Sequence, residues 1–232
     1  MINKENILFC IVGLLGGLII GFMFANSVNQ GQVGAQATSA SAPGTAGMPG
    51  GHPPMSGSDG SMEDITVAIE KARAEPNNFE AQIRAAELFY QIQRFDGAVE
   101  FLKKASELKP DDHVTLMNLG NAYFDSSKFE EAEKAYAQVL AKKPDDLDVR
   151  SDLGLTFLMR PTPDVERAMK EFNAVLEKDP KHKMALQNLT LAYTKKGDSN
   201  KANEVIAKLE AIDPQGPAVA RLKEEIAKIG AK

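Results

Sequence analysis

Lys-Pro-Asp-Asp stands at Lys109–Asp112 and again at Lys143–Asp146, one copy 34 residues after the other. Prolines carry the same beat along the chain: Pro76, Pro110, Pro144, Pro180 and Pro214 follow one another at steps of 34, 34, 36 and 34. A fixed period of this size marks stacked supersecondary units. Proline is disfavoured in a helix interior, so each of these residues marks the end of a helix. An aspartate just after it can accept hydrogen bonds from the free N–H groups that open the next helix. Asn77 and Asn78 supply the same chemistry after Pro76. The repeated tetrapeptide is therefore expected to be a joint between units.

The segment from His113 to Asp146 contains MNLGNAY, then FEEAEKAYAQVL, then KPDD. Leu116, Leu119, Gly120, Tyr123, Ala132, Tyr136 and Pro144 set large, small and aromatic residues in the order typical of the tetratricopeptide repeat (TPR), which this chain resembles. Ala85, Ala86, Phe89, Ala98, Leu102, Ala105 and Pro110 match from Phe79 onward. Leu153, Gly154, Phe157, Ala168, Phe172 and Pro180 match from Leu147, and Leu189, Tyr193, Ala202, Ile206, Leu209 and Pro214 from Lys183. Val139 and Thr190 depart from the small residues usual at their places. The resemblance covers residues 79 to about 216 and implies an all-α solenoid of helical hairpins, about four repeats plus capping helices. The repeats are read as 79–112, 113–146, 147–182 and 183–216. In the third, Arg160–Asp164 lengthens the turn between helices by two residues; loop length costs little, so the stack should survive with a local protrusion, read as a neutral insertion with a contact site as the alternative. Residues 217–229 place Val219, Leu222, Ile226 and Ile229 at helical spacing and read as a C-terminal cap. Residues 62–76 read as an N-terminal capping helix or half repeat.

Composition narrows the function classes. Net charge is −5, and Lys and Glu are intermixed past residue 60, so there is no basic face of the kind that binds nucleic acid. Cys10 is the single cysteine, which excludes an intrachain disulfide or a cysteine-based metal site. His52, His113 and His182 lie in separate segments, and no catalytic grouping, phosphate-cradling loop or metal-spaced set accompanies them. A non-enzymatic protein without a cofactor is expected.

The N-terminal part departs from the repeats. Residues 1–6 precede an apolar run, Ile7–Phe24, of 18 residues without a charge, which as a helix spans roughly 27 Å. This exceeds the ~7–15 apolar residues of a cleavable signal, so a transmembrane signal anchor over 7–25 is expected. Lys4 precedes the run and the next Lys or Arg is Lys71, which predicts a cytoplasmic N-terminus and an exported repeat domain. Gly13, Gly17 and Gly21 form a small-residue stripe through which two such helices can approach, an opening to a homodimer. Residues 26–61 are rich in Gly, Ala, Ser and Pro and are expected to be a disordered tether. Met48, His52, Met55 and Met62 carry ligand types suited to Cu(I). One histidine among unevenly spaced sulfurs is a weak ligand set, so the segment reads as linker and copper handling stands as an alternative.

TPR stacks hold partners in the concave groove lined by the first helix of each hairpin. Mapped residue by residue, the resemblance implies a lining of Ile83, Glu87, Tyr90, Val114, Met117, Asn121, Phe124, Ser151, Leu155, Leu158, Met159, Met184, Gln187 and Leu191. Gln91, Asp125, Asp148, Thr194 and Lys195 fall at equivalent positions. The family's clamp for a C-terminal carboxylate uses cations that Ile83 and Glu87 replace, so carboxylate capture is not expected. A groove rich in apolar residues and methionine suits an apolar or amphipathic segment of a protein partner. An N-terminal anchor followed by a TPR domain resembles bacterial envelope factors, including c-type cytochrome biogenesis proteins and accessory factors of the secretion channel. The expectation is a scaffold in the bacterial inner membrane with a periplasmic or otherwise extracytoplasmic domain; a periplasmic holdase is a further alternative.

Overall fold

A computed structural model describes residues 62–229, which form ten helices and no strand. The helices are α1 Met62–Ala74, α2 Phe79–Gln91, α3 Phe95–Leu108, α4 His113–Asp125, α5 Phe129–Lys142, α6 Leu147–Met159, α7 Val165–Lys178, α8 Lys183–Lys196, α9 Ser199–Ile212 and α10 Pro217–Ile229. Each packs on the next, and α10 turns back to cover both α8 and α9. The expected anchor at 7–25, the Gly13/Gly17/Gly21 stripe, the 26–61 tether and the side chains of Met48, His52, Met55 and Met62 lie outside the described residues. Among the described residues no helix is long and apolar enough to cross a membrane.

Hairpin closure rests on missing volume. A Cβ added at Gly120 would sit 2.5 Å from Cε1 of Tyr136, and one at Gly154 2.5 Å from Cε1 of Phe172. The absent methyl lets the ring of the second helix lie against the backbone of the first, and both rings are fully buried. The corresponding positions pair Ala86 with Leu102 in the first hairpin and Thr190 with Ile206 in the fourth, so a larger small-side residue accompanies a smaller large-side one.

The turn inside each hairpin repeats a backbone device. Gln93, Ser127 and Gly197 occupy equivalent positions with φ of 58°, 60° and 79°. The next N–H, of Arg94, Lys128 or Asp198, reaches back to the carbonyl of Phe89 (2.9 Å), Tyr123 (2.8 Å) or Tyr193 (3.0 Å). That left-handed residue reverses the chain and satisfies a helix-end carbonyl. In the third hairpin Asp164 makes the equivalent bond to Phe157 at 3.0 Å, so the two extra residues are looped out while the closure is kept. Arg160 then ion-pairs with Glu133 of α5, joined by Arg167 at 2.6 Å. The insertion is thus stapled to the preceding hairpin at its base, with Pro161, Thr162 and Pro163 exposed.

The tetrapeptide does several things at once. Asp112 accepts from the Thr115 N–H at 2.7 Å and Asp146 from Val149 at 3.1 Å, capping α4 and α6. Asp111 pairs with Lys142 at 2.5 Å and Asp145 with Lys178, each linking one joint to the next. Lys109 lies 3.7 Å from the Phe79 ring centroid. Asn78 caps α2 through Ala81 at 3.1 Å. Before α8 the cap is His182, whose Nδ1 accepts from Ala185 at 3.2 Å.

Two substitutions test these constraints with opposite signs. Gly120→Ala forces a methyl into the Tyr136 ring and should cost about 1–3 kcal/mol in urea unfolding. Ser127→Gly relieves a left-handed backbone position and should gain about 1 kcal/mol. An unchanged unfolding midpoint for Gly120→Ala would refute the close approach.

Candidate partner-binding groove

The first helices of the hairpins, α2, α4, α6 and α8, carry the expected lining, and the structure divides it in two. Ile83, Glu87, Tyr90, Phe124, Leu155, Met184, Gln187 and Leu191 are half-buried, while Val114 and Met159 are exposed. Met117, Asn121, Ser151 and Leu158 are instead buried, none more than 4% exposed. For these four the expectation of an open lining is corrected. All lie on α4 and α6, and Met117 and Ser151 occupy the position that is half-buried as Ile83 in the first hairpin and Gln187 in the last. Met117 and Leu158 belong to the main apolar core, Asn121 accepts from the Tyr136 hydroxyl at 2.7 Å, and Ser151 accepts from Asn188 of α8 at 3.3 Å. A charge placed at Met117 or Leu158 would report on folding rather than on binding.

What stays accessible is an apolar row with aromatic supports. Tyr90 packs edge-on against Phe95 with centroids 5.1 Å apart, and Phe124 against Phe129 at 5.6 Å. In each case the first residue of the second helix packs against a ring of the first and restricts that ring's orientation.

Acidic groups run along the same face. The Tyr90 hydroxyl donates to the Asp125 carboxylate, tying the first hairpin to the second. Burial raises the Tyr90 pKa, and the negative charge of Asp125 adds to the rise. Burial likewise raises Asp125, although the Tyr90 bond partly offsets it. Glu87 is raised by burial against a weak counter-pull from Arg84, 3.5 Å away. Asp148 meets Nε2 of His182 at 3.0 Å. Since Nδ1 of that ring accepts the helix-capping bond, Nε2 carries the proton and donates to Asp148.

Asp152 is the residue that sequence reasoning missed. It is 3% exposed, and neither carboxylate oxygen has a hydrogen-bond partner. Its pKa is pushed far above the carboxylate range, first by burial and then by Asp148, Asp146 and Asp125. The one available signal was an aspartate in mid-helix, four residues after Asp148, within the otherwise apolar stretch LDVRSDLGLTFLM.

Two models described as tetratricopeptide repeats match the chain, one over residues 93–154 and 164–226 and the other over 66–113. The first alone spans more than half of the sequence, and the chain belongs to the tetratricopeptide repeat family. A TPR repeat-containing protein of Pseudomonas aeruginosa, PA4667, is 29% identical over 166 residues, 68% of this chain and 27% of that protein. The peroxisomal targeting signal receptor of Kluyveromyces lactis is 31% identical over 97 residues, 41% of this chain and 17% of the receptor. The match thus covers only a minor part of either relative. Among solved structures, PilW, described as a type IV pilus biogenesis factor, superimposes with a TM-score of 0.61 at 18% identity, over 73% of this chain and 80% of PilW. The fold and family define a protein-interaction scaffold, the class whose stacked hairpins bind protein or peptide partners.

The titration of Asp152 makes a stability prediction. Folding holds its proton to a higher pH than the unfolded chain does, so above about pH 4 the native state binds more protons. Stability from this group is therefore present at low pH and lost as pH rises toward the folded pKa. Asp152→Asn removes that loss. The variant should match the wild type near about pH 4 and exceed it increasingly by about pH 8 in urea unfolding. Parallel pH profiles for the two proteins would contradict the burial assigned to this carboxylate.

Proposed function

We propose that this chain is a membrane-anchored adaptor whose TPR domain holds an apolar or amphipathic segment of an exported partner protein. The observation that carries the reading is the accessible row of Ile83, Tyr90, Phe124, Leu155, Met184 and Leu191 across four successive hairpins. Its rings are pre-oriented by Phe95 and Phe129. A rigid apolar row that spans several repeats suits an extended or helical segment, because binding immobilises few side chains that are not already held. A relative from Kluyveromyces lactis is named a peroxisomal targeting signal receptor, which supports a segment of a protein as the class of ligand.

Placement of the domain follows from the sequence. The uncharged Ile7–Phe24 run and the lack of Lys or Arg between Lys4 and Lys71 favour a bacterial inner-membrane anchor with the repeats on the periplasmic side. In that setting an adaptor fits assembly processes that gather exported chains at the membrane, of which c-type cytochrome maturation is the process we favour. The Gly13/Gly17/Gly21 stripe would let two copies present paired grooves.

Photo-crosslinking in intact cells tests the groove. A crosslinker at Leu155 should yield a discrete adduct that the same probe at exposed Lys134, on α5, does not. A broad ladder at Leu155 would turn the reading to a holdase for many exported chains. Equal labelling at the two sites would remove the groove as the binding surface.

A further inference from the structure

We propose that α1–α3 form a separate cooperative unit, which opens at its boundary with α4 while the later hairpins stay closed, and that the Tyr90–Asp125 hydrogen bond is its latch. The inference concerns the domain's own motion and stands whether or not the groove is the binding surface.

The apolar core is divided along the stack. One cluster holds Ala72 of α1, Ala85 and Phe89 of α2, and Ala98, Phe101 and Leu102 of α3. A second, single cluster extends from Leu116 and Met117 of α4 to Val219, Leu222 and Ile226 of α10. The division falls within α4, which gives Leu119 and Ala122 to the first cluster and Leu116 and Met117 to the second. Tyr123 packs against both and is itself only half-buried. The later boundaries are crossed by the core. Val139 and Leu140 of α5 belong to the same cluster as Val149 and Leu153 of α6, and Phe172 of α7 to that of Leu186 and Leu189 of α8. Each unit of a stack touches only its neighbours, so stability divides into unit and interface contributions. Opening therefore starts at the interface where the apolar packing is interrupted.

The outer end of that interface is also unfilled. A cleft of about 420 Å³ lies between the first two hairpin turns, lined by residues 93–97 on one side and 125–127 on the other. Asp96 and Lys128 pair at 2.7 Å, but both side chains are well exposed, and such pairs hold little. The Tyr90 bond is of another kind. It joins the last turn of α2 to Asp125, the last residue of α4, at the edge of the cleft. Both partners are half-buried, and a carboxylate acceptor makes the bond a strong one. Ile83, Glu87 and Tyr90 travel with the opening unit, whereas Phe124 and Leu155 stay behind. A ligand laid across both sets would favour the closed form.

Native-state hydrogen exchange tests the inference on the full chain in detergent, read by mass spectrometry under conditions where exchange reports equilibrium opening. Amides of α2 and α3 should exchange through one common opening, at least about 10-fold faster than those of α5–α9. The hairpin α8–α9, although also near an end, should be as protected as α5–α7, because it shares their core. Tyr90→Phe removes the latch and keeps the ring, and should speed exchange in α1–α3 roughly 10-fold or more. Ile206→Val trims the second cluster, and should speed exchange in α5–α9 about 2- to 10-fold while leaving α1–α3 unchanged, since the second cluster stays packed when the first unit opens. Equal protection of α2–α3 and α8–α9 overturns the inference. So does an Ile206→Val effect as large in α1–α3 as in α5–α9, which a single cooperative block would show. Unchanged α1–α3 exchange in Tyr90→Phe overturns the latch.

Discussion

The structure depends on the distance at which the two helices of a hairpin can meet. That distance is set where Gly120 and Gly154 face the rings of Tyr136 and Phe172, with no room for a methyl group. A ring laid on bare backbone brings the helices close enough for buried alanines, such as Ala132 and Ala168, to complete the seam. Close hairpins can then stack with regular curvature, and curvature turns the first helices toward a common inner face. A wider hairpin anywhere in the middle would change the angle between its neighbours and spread the residues lining that face.

Register between hairpins is maintained by weaker contacts that share few residues. In each Lys-Pro-Asp-Asp joint the proline ends one helix, the second aspartate starts the next, and the first aspartate reaches forward to the following joint. Exposed pairs such as Asp111–Lys142 contribute about 0–1 kcal/mol each, so their role is alignment more than stability. The insertion at Arg160–Asp164 shows how tolerant the scheme is. Asp164 recovers the bond to Phe157 and also caps α7 through the Arg167 N–H, so the two added residues never enter the packing. Glu133 is held below the usual carboxylate range because the bonds from Arg167 and Arg160 outweigh the effect of its burial. The turn expected to be a plain protrusion is, at its base, an electrostatic fastening between neighbours.

How much could be read in advance follows from whether a feature is local or collective. Joints, small residues and capping aspartates are local, and a 34-residue period repeats them often enough to be recognised. The His182 cap escaped notice because imidazole is an uncommon cap and stands where an aspartate was expected. The division of the groove is collective. Met117 and Val114 both belong to the predicted lining, yet Met117 is buried and Val114 is exposed, and no pattern of apolar letters separates them. Burial at Met117 or Ser151 depends on the neighbouring helices, which sequence position along a single repeat does not encode. Asp152 was illegible for the same reason. On one helix it is an unremarkable aspartate, and its burial, with Asp125 of α4 among the charges that act on it, arises only once the hairpins are packed.

Packing between hairpins also explains why a carboxyl can be buried in the middle of the stack. Near its ends the inner face is open, and a carboxylate there stays hydrated and discriminates poorly between ligands. In the middle, the neighbours that cover Met117, Asn121, Ser151 and Leu158 exclude water from Asp152 as well. Ionising Asp152 there lowers the stability of the folded protein, because its oxygens lose hydration without gaining partners, so the carboxyl keeps its proton to a higher pH than in the unfolded chain.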